Sequence, residues 1–495
     1  MSDSHSKKLP ALSKSQDKKI GYAATVLLKV CLLLIVTAQP ALAFDIAAPF
    51  VDPLRTLPKL FESGVTLPGD SNPVPCPVSK DFSTPLALAE AVDLALCNNP
   101  QIKATWASIK VQAGALGEAR AAYLPTLSAT TNNMKSHTTY PGSSFPGTAT
   151  TGQAIAATLS WHLFDFGGRG ANLESANQLL LAAIDHHDTM LQNTLASVVQ
   201  AYFDAHTAQA TLQAKEQDEA NARSTLETAQ RRQAHGMDSR GDTLQAMTAL
   251  AKASLDKNRA IGDDQKALSV LVYSIGVPPQ THLVLADDLK DQDKLDSKSL
   301  EDWMGIAEKS YPEILSARAK WESDKQKIIS TRSGGLPSMD FSATSYQNGY
   351  PGQGLSPTQS RVSSIGVSLT FPLFDGFSTT YKIRSAEAQA EEDEATLHDT
   401  EHNTLMAVVK AYADAISSLQ NLQASENLLN VAQESMESSK RKYERGAADI
   451  LEMLNTQSAL ADAQQERILC LDEWRGARLK LLASVGLLGR SAVTP

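Results

Sequence analysis

The side chains of this sequence that could do chemistry are few and widely spaced. Cys76 and Cys97 form one close pair, and Cys470 lies alone inside a helical pattern in a chain of 495 residues. The pair lacks Cys-x-x-Cys spacing and a nearby histidine, which disfavours a metal site. In an oxidising compartment it predicts a disulfide, which would close a loop of about 22 residues and add roughly 3 kcal/mol of stability. Cys470 is expected to be an unpaired packing residue.

The histidines and carboxylates form no catalytic constellation. His186 and His187 are adjacent, so on a helix they face different sides and make a poor metal pair. No Ser-His-Asp order, Gly-rich phosphate loop or zinc-binding spacing occurs in the context that it requires. We therefore expect no catalytic site, no metal and no cofactor, and we do not expect an enzyme.

The N-terminal residues predict export. A cluster of lysines precedes an apolar stretch at residues 20–36, and the Ala-Leu-Ala at residues 41–43 fits a cleavage site. Lys29 interrupts the apolar stretch, which disfavours a transmembrane anchor, because such a helix needs about 20 apolar residues. We predict a signal peptide at residues 1–43 and a proline-rich N-terminal segment at residues 44–85.

The charge balance argues against nucleic acid as a partner. The chain has 45 Lys and Arg against 55 Asp and Glu. Without the six lysines and two aspartates of residues 1–43, the net charge is −14, which opposes binding to a phosphate backbone. No segment after residue 43 is apolar enough for a transmembrane helix.

Five landmarks recur in the same order in the second half of the chain. The first two are 212 residues apart and the other three are 210 residues apart. They are Pro100 and Pro312, Leu124-Pro125 and Leu336-Pro337, Leu163-Phe164-Asp165 and Leu373-Phe374-Asp375, Val198–Ala205 and Val408–Ala415, and Gly236 and Gly446. Ordered matches at nearly constant spacing indicate an internal duplication. The repeats are predicted at residues 86–290 and 300–488, with a C-terminal tail at residues 489–495.

Each repeat has the same predicted elements. A helical pattern, at residues 86–122 and 300–332, ends at a Leu-Pro step, because proline disfavours helix in the residue before it. Two strands follow, separated by a loop rich in Gly, Pro, Ser and Thr. The strands are predicted at about residues 125–135 and 154–164 in the first repeat, and at about residues 337–346 and 362–374 in the second.

The returning strands alternate between apolar and polar residues. In the second repeat Ile365, Val367 and Leu369 are separated by glycine and serine. Alternation over about 10 residues gives the strand an apolar and a polar face, which suits a membrane barrel. Trp161 and Phe371 occupy equivalent places near the strand ends, where an aromatic girdle would lie.

A long proline-free helical pattern follows in each repeat, at residues 168–234 and 378–444. Each would reach about 100 Å if it is one continuous helix. A glycine turn ends each pattern, and a shorter helix is predicted to return, at residues 241–275 and 450–485.

Four strands cannot cross a bilayer alone, because open strand edges leave backbone groups unpaired at several kcal/mol each. Closed barrels of the usual kind start at about eight strands. Either the strands form a small soluble sheet, or several chains pool them. Three copies would supply twelve strands, and their helical hairpins could close into a hollow cylinder.

Together these features resemble the TolC family of outer-membrane efflux proteins, over residues 85–488. The resemblance rests on the duplication, the two Leu-Pro steps, PLFDGF and HLFDFGGR at the strand-to-helix joints, and the turns RQAHGMDSRGDTLQA and RKYERGAADILEMLNT. It implies an α+β membrane protein with internal duplication. Such a protein is a homotrimer whose 12-stranded outer-membrane β-barrel, four strands per chain, continues as a long periplasmic α-helical barrel. The chain is also similar to the type I secretion branch typified by CyaE.

The resemblance also implies a function and a constriction. The protein would be a passive exit duct in the outer membrane of a Gram-negative cell, in contact with its lipid. It would receive substrates from an inner-membrane ABC or proton-driven transporter through a periplasmic membrane-fusion adaptor. The family's tunnel narrows at positions that correspond to Glu452 and Asn455, with Asp242 and Gln245 in the first repeat. Asn455 departs from the acidic pattern, which weakens the expectation of a double acidic ring.

Some of these residues have a simpler explanation. Carboxylate rings favour cations, but Glu452 and Asp242 also stand where helices begin, and negative charge there is stabilised by roughly 0.3–1 kcal/mol. Asp165 and Asp375 are expected to cap helices or end turns. Gly236 and Gly446 are expected to be left-handed helix caps, and the resemblance adds contact with the adaptor.

Two alternatives to a duct differ in what they explain. A soluble periplasmic coiled-coil adaptor or scaffold explains the helices and the export, but it does not explain the paired alternating strands. An exported enzyme has no constellation of residues in its favour.

Overall fold

The computed structural model describes residues 52–59, 61, 76, 84–142, 144, 146–237, 239–286, 298–348 and 360–489. The predicted signal peptide, most of the proline-rich segment and nearly all of the C-terminal tail lie outside these residues. Contacts divide the chain into residues 1–53 and residues 54–495. All helices and strands named below belong to the second unit.

The described elements repeat one order. The first repeat contains helices α1 (Leu88–Asn98) and α2 (Pro100–Ala121), strands β1 (Thr126–Thr138) and β2 (Thr148–Phe164), and helices α3 (Gly168–Ala234) and α4 (Arg240–Ser274). The second contains α5 (Leu300–Ser310), α6 (Pro312–Ser333), β3 (Ser338–Gln347), β4 (Arg361–Thr370), α7 (Ser378–Glu444) and α8 (Ile450–Ser484). The duplication in the sequence is therefore a duplication of the whole set of elements.

The first helical pattern of each repeat is two helices rather than one. α1 ends at Asn98 and α2 begins at Pro100, because proline fits the first helical position and disfavours helix in the residue before it. Asn99 caps α2 with its side-chain oxygen, which accepts the N–H of Gln101 at 2.8 Å. Pro312 divides α5 from α6 at the equivalent place.

The four strands form one antiparallel sheet in the order β1-β2-β3-β4. Trp161 of β2 pairs with Phe341 of β3, which pairs with Val367 of β4. Pairing therefore places the alternate apolar residues of neighbouring strands on one face. β2 starts earlier than the sequence predicts, and β4 ends four residues earlier, at Thr370, because Pro372 has no N–H for the ladder.

The helices pack as antiparallel hairpins, α3 with α4 and α7 with α8. The largest apolar cluster surrounds Tyr202 of α3, whose hydroxyl donates to the carbonyl oxygens of Leu86 at 3.0 Å and Ala286 at 3.3 Å. Leu86 and Leu285 form a parallel bridge beside it. The second repeat has a smaller cluster around the buried Trp303.

Candidate functional site

Both hairpin turns close with the same glycine geometry. The Gly236 N–H donates to the carbonyl of Gln233 at 2.9 Å, and the Met237 N–H donates to that of Arg232 at 2.9 Å. The turn at Gly446 repeats both bonds, and the two glycines have φ of 72° and 75°. This is the Schellman arrangement, in which a left-handed residue ends the helix. A side chain here would strain the backbone, so the glycines are required by the turn itself.

The acidic residues after the two turns have different contacts. Asp242 accepts the backbone N–H of Ser239 at 2.8 Å, and Ser239 accepts the N–H of Asp242 at 3.2 Å. This capping box holds the carboxylate of Asp242 at the start of α4. Asp449, the counterpart of Ser239, likewise accepts the N–H of Glu452, at 2.8 Å.

Glu452 instead reaches across the hairpin to α7. Its Oε1 accepts from Ser439 Oγ at 3.2 Å and lies 3.4 Å from Lys442 Nζ. The side chain of Glu452 is 43% exposed, so the ion pair is worth at most about 1 kcal/mol. Gln245 and Asn455 lie one turn further along their helices and are exposed.

The two hairpin tips pack against each other. Ala229 and Ala246 of the first hairpin form a buried cluster with Tyr443, Ile450 and Met453 of the second. Arg232 of α3 donates to the carbonyl oxygen of Tyr443 at 2.9 Å, and its guanidinium carbon lies 4.8 Å from the centroid of that ring. The structure therefore brings the two predicted tip regions together.

The two aspartates after the strands both cap helices. Asp165 Oδ2 accepts the N–H of Arg169 at 2.8 Å, and Asp375 Oδ2 accepts the N–H of Thr379 at 2.8 Å. The N-cap positions themselves are Gly167 and Phe377, which have left-handed backbones. The aspartates thus cap from two residues further upstream.

An arginine that the sequence analysis did not single out organises the first of these joints. Arg169 donates to the carbonyl oxygens of His162 at 2.6 Å and Leu163 at 3.0 Å, and its Nε lies 3.3 Å from Asp165 Oδ2. Its guanidinium carbon lies 4.8 Å from the ring centroid of Tyr123. The only sequence signal is the arginine in HLFDFGGR, which has threonine in the equivalent place of the second repeat.

Two half-buried carboxyl groups lie on α3. Burial raises the pKa of Asp188 to about 6, with a further rise from the neighbouring Asp185, and burial alone raises the pKa of Asp185 to about 6. Burial, followed by the charge of His186, lowers the pKa of His187 to about 4. His187 Nδ1 lies 2.8 Å from the hydroxyl of Thr105. Of these groups His187 contacts α2, so its protonation is coupled to the packing of α2 on α3.

Cys76 and Cys97 are joined as a disulfide, which ties the N-terminal segment to α1. Cys470 is a free thiol, buried beside Leu422 and Trp474. The described residues contain no group of three or more His, Cys, Asp or Glu side chains placed to bind a metal ion.

No helix in the described part of the chain combines the length and the apolarity needed to cross a bilayer.

The fold and the duplicated sequence identify the class of protein. The outer membrane efflux protein family matches residues 91–277 and 303–487, so the chain belongs to this family. Its members are channels. The protein is therefore an outer-membrane channel with a periplasmic helical extension, and the soluble adaptor alternative finds no support.

Individual relatives narrow the comparison. The chain is 34% identical to protein CyaE of Bordetella pertussis, over 85% of this chain and 88% of CyaE. It is 26% identical to the alkaline protease secretion protein AprF of Pseudomonas aeruginosa, over 81% of this chain and 85% of AprF. The outer membrane protein VceC of Vibrio cholerae has the same fold, with a TM-score of 0.71 and 18% identity, over 81% of this chain and 96% of that one. The resemblance predicted from the sequence is confirmed.

Proposed function

We propose that three copies of the chain pool their sheets into one 12-stranded barrel, and that this trimer is the exit duct of a tripartite secretion or efflux system. The observation that carries the proposal is the sheet of four strands, whose outer strands β1 and β4 each have one unpaired edge among the described residues. Such edges cannot face hydrocarbon, since unpaired backbone groups cost several kcal/mol each.

Strand direction supports closure by copies of the same chain. The strands alternate in direction from β1 to β4, so β4 of one copy runs antiparallel to β1 of the next. An even number of strands per chain lets such a barrel close with antiparallel pairs throughout.

The two faces of the sheet support a lipid-facing exterior and a polar lumen. Leu127 and Ile365 lie on the apolar face and are 75% and 77% exposed in the single chain. Residues on the other face include Ser128, Thr344 and Ser364, and the last two share a hydrogen bond of 2.6 Å. The lumen would thus be lined largely by small hydroxyl side chains, which leave a wide bore, and His162 and Asp340 pair on the same face.

The tips form the gate in this proposal. Three copies of Glu452 would narrow the tunnel with a carboxylate ring, which favours cations, while Asp242 remains tied to its capping box. Two neutral amides, those of Asn455 and Gln245, would lie nearby, and Asp242 in the first turn of α4 would add a carboxylate. Opening requires the α7–α8 tip to move away from α3, which breaks the contact between Arg232 and Tyr443.

The partners follow from the same arrangement. The turns at Gly236 and Gly446 are the ends of the hairpins furthest from the sheet along the helices, so they are the surfaces that a periplasmic membrane-fusion adaptor would contact. An inner-membrane ABC or proton-driven transporter supplies the energy. AprF is by its name a protein for alkaline protease secretion, and a wide hydroxyl-lined lumen suits an extended polypeptide. We infer that this duct serves secretion of a protein substrate.

Fractionation and bilayer recording test the assembly and the conduction separately. Unheated samples of the outer membrane should give a band at three times the mass of the chain, which heating converts to the monomer. The purified trimer should give small, cation-preferring currents in a planar bilayer. A monomer washed from the periplasm would contradict the trimer. Deletion of the gene, followed by comparison of the secreted proteins and of drug susceptibility, decides between a protein and a small-molecule substrate.

A further inference from the structure

Two exposed histidines lie one helical turn apart in the first third of α7. His398 and His402 are the ends of the stretch HDTEH, and both side chains are exposed. Residues four apart on a helix lie on the same face, with their Cβ atoms about 5–6 Å apart. Two imidazoles at this spacing can hold one metal ion, as they do in helical zinc motifs. The adjacent pair His186 and His187 of α3 lacks this geometry, because its members face different sides of the helix.

His398 already has the second contact that metal-binding histidines usually have. Its Nδ1 lies 3.3 Å from Oε2 of Glu401. An ionised carboxylate only accepts hydrogen bonds, so Nδ1 carries the proton and the electron pair lies on Nε2. Ligating histidines almost always donate their other N–H to a carboxylate, a carbonyl or water, which orients the ring and raises its basicity. The side chain of His398 is 64% exposed, so the ring is open to an ion from solution.

Glu401 is itself held in place by the neighbouring helix. Its other oxygen, Oε1, accepts from a terminal nitrogen of Arg318 on α6 at 3.3 Å. The side chain of Glu401 is 22% exposed, against 44% for Arg318. A series of contacts therefore runs from Arg318 through Glu401 to His398 and orients one ligand before any ion binds. Such preorganisation lowers the cost of binding.

The first repeat has different residues at the equivalent places. With the offset of 210 residues, His398 corresponds to Asp188 and His402 to Gln192. Gln192 is buried in the packing of α3. The pair is thus particular to the second repeat, and the fold that the two repeats share does not require it.

We propose that His398 and His402 bind one divalent transition-metal ion of the zinc, nickel and copper class through their imidazole nitrogens. Imidazole suits these metals, whereas oxygen ligands suit magnesium and calcium. Because the described residues contain no group of three or more metal-ligating side chains, water completes the coordination. Chelation across one turn then stabilises this part of α7. The site does not depend on the proposed duct, and it revises the expectation that the chain binds no metal.

The order of residues in HDTEH also occurs in a class of zinc peptidases. Catalytic zinc sites have three protein ligands and an open position for water. The histidine pair supplies two ligands, and Glu401 is engaged by Arg318. We therefore assign binding of an ion to this site, and no hydrolysis.

Zinc titration of the purified, untagged protein in detergent tests the site. Calorimetry in excess Mg²⁺, which occupies carboxylates because it prefers oxygen ligands, should show one Zn²⁺ bound per chain. The unfolding midpoint should rise with added Zn²⁺, because the ion binds the folded helix in preference to the unfolded chain. Cu²⁺ in place of Zn²⁺ should bind more tightly.

The matched variant exchanges two neighbouring residues and keeps the composition. His402→Asn together with Asn403→His moves the second imidazole to five residues from His398, about 140° around the helix. It should lower the Zn²⁺ affinity by about 100-fold or more and remove the rise in the unfolding midpoint. Asn403 donates to Asp399 at 3.0 Å on the helix surface, so the midpoints without metal are compared as well.

Two further variants make the result specific. Glu401→Gln keeps an acceptor beside His398 but removes its charge, and it should lower the Zn²⁺ affinity about tenfold. His235→Ala removes an exposed histidine at the end of α3, and it should leave the affinity unchanged.

Three outcomes would overturn the proposal. They are no binding of Zn²⁺ by the unaltered protein in excess Mg²⁺, equal affinity in the variant with exchanged residues, and an equal loss of affinity in His235→Ala. An unchanged affinity in Glu401→Gln would overturn the positioning role of Glu401.

Discussion

The first repeat is held together by side-chain contacts that differ from those at the equivalent places of the second repeat. The first has a disulfide at Cys76 and Cys97, a large cluster around Tyr202, and a joint organised by Arg169. The second has a smaller cluster around Trp303, and the contacts of its acidic tip residue run to its own hairpin. The backbone plans are the same. The difference teaches that two repeats with the same backbone plan are held by different side-chain contacts.

Equivalent substitutions in the strands of the two repeats should have equal effects on stability, and these are the largest effects that we expect. Ile155→Lys and the equivalent Ile365→Lys each place a charge on the apolar face of the sheet, which faces lipid in the proposed barrel. Each should destabilise the assembled barrel by about 2–4 kcal/mol, measured as loss of the heat-sensitive trimer in urea titrations. Ser364→Lys, one residue away on the opposite face, is the matched control and should be tolerated. Equal sensitivity at Ser364 would contradict the assignment of the faces.

The disulfide between Cys76 and Cys97 should stabilise the first repeat. Replacing both Cys76 and Cys97 by serine should lower the free energy of unfolding by roughly 3 kcal/mol, because the unfolded chain regains the freedom of a loop of about 22 residues. Calorimetry measures the change, and Cys470→Ser serves as the control for loss of a thiol alone. An unchanged unfolding midpoint in the double variant would mean that packing already fixes this segment.

The half-buried carboxyl of Asp188 predicts a pH dependence of stability in the first repeat. The pKa of Asp188 is about 6 in the folded protein and 3.8 as its ordinary value, so the folded state binds more protons between these values. This contribution to stability is therefore gained as the pH falls from about 6 to about 4. Asp188→Asn should remove a gain on the order of 1–3 kcal/mol.

The effect of Asp188 must be measured as a difference between Asp188→Asn and the unaltered protein, because His187 changes the folding stability with pH in the opposite direction. Its pKa is lowered to about 4, so its contribution to stability is lost as the pH falls towards that value. Unfolding midpoints at pH 4.5 and about 7.5 measure the difference between the two proteins. Glu394→Gln, at an exposed position of α7, is the control and should leave the difference unchanged.

The tips carry the smallest effects on stability and the clearest difference in function. Asp242→Ala should cost about 0.5–2 kcal/mol through loss of the capping box, with little change in current. Glu452→Ala should cost less than about 1 kcal/mol, yet raise the conductance or reduce the cation preference of the channel. Single-channel recording at two salt gradients separates the two variants. Equal currents for Glu452→Ala and the unaltered protein would remove Glu452 from the constriction.

Local signals let the sequence predict the long elements closely. The absence of proline over 67 residues and the glycine at each turn place α3 and α7 at the predicted residues. Alternation places the strands, but Pro372 ends β4 before the apolar pattern ends. The helical pattern of the first 37 predicted residues also continues through Pro100, although the chain begins a new helix there.

The contacts at the joints and tips depend on tertiary structure and could not be predicted in the same way. Arg169 acts on carbonyl oxygens of residues 122, 162 and 163, and every residue offers a carbonyl oxygen, so no residue type marks its partners. Ser239 and Asp449 both cap their helices by accepting the N–H of the acidic residue three positions later. Asp242 also accepts the N–H of Ser239, whereas Glu452 contacts Ser439 and Lys442 of α7, and these tertiary contacts could not be predicted from the sequence.

The equal lengths of the equivalent helices constrain how the length of the molecule can change. α3 and α7 have 67 residues each, and α4 and α8 have 35 each. One residue inserted into any of them would turn the rest of that helix by about 100° and shift it by about 1.5 Å, which would move a tip out of line with its neighbour. A duct of different reach therefore needs matched insertions of about seven residues, close to two turns, in all four helices at once. Single substitutions can therefore change the side chains of this protein, but a change in its length requires matched insertions in all four helices.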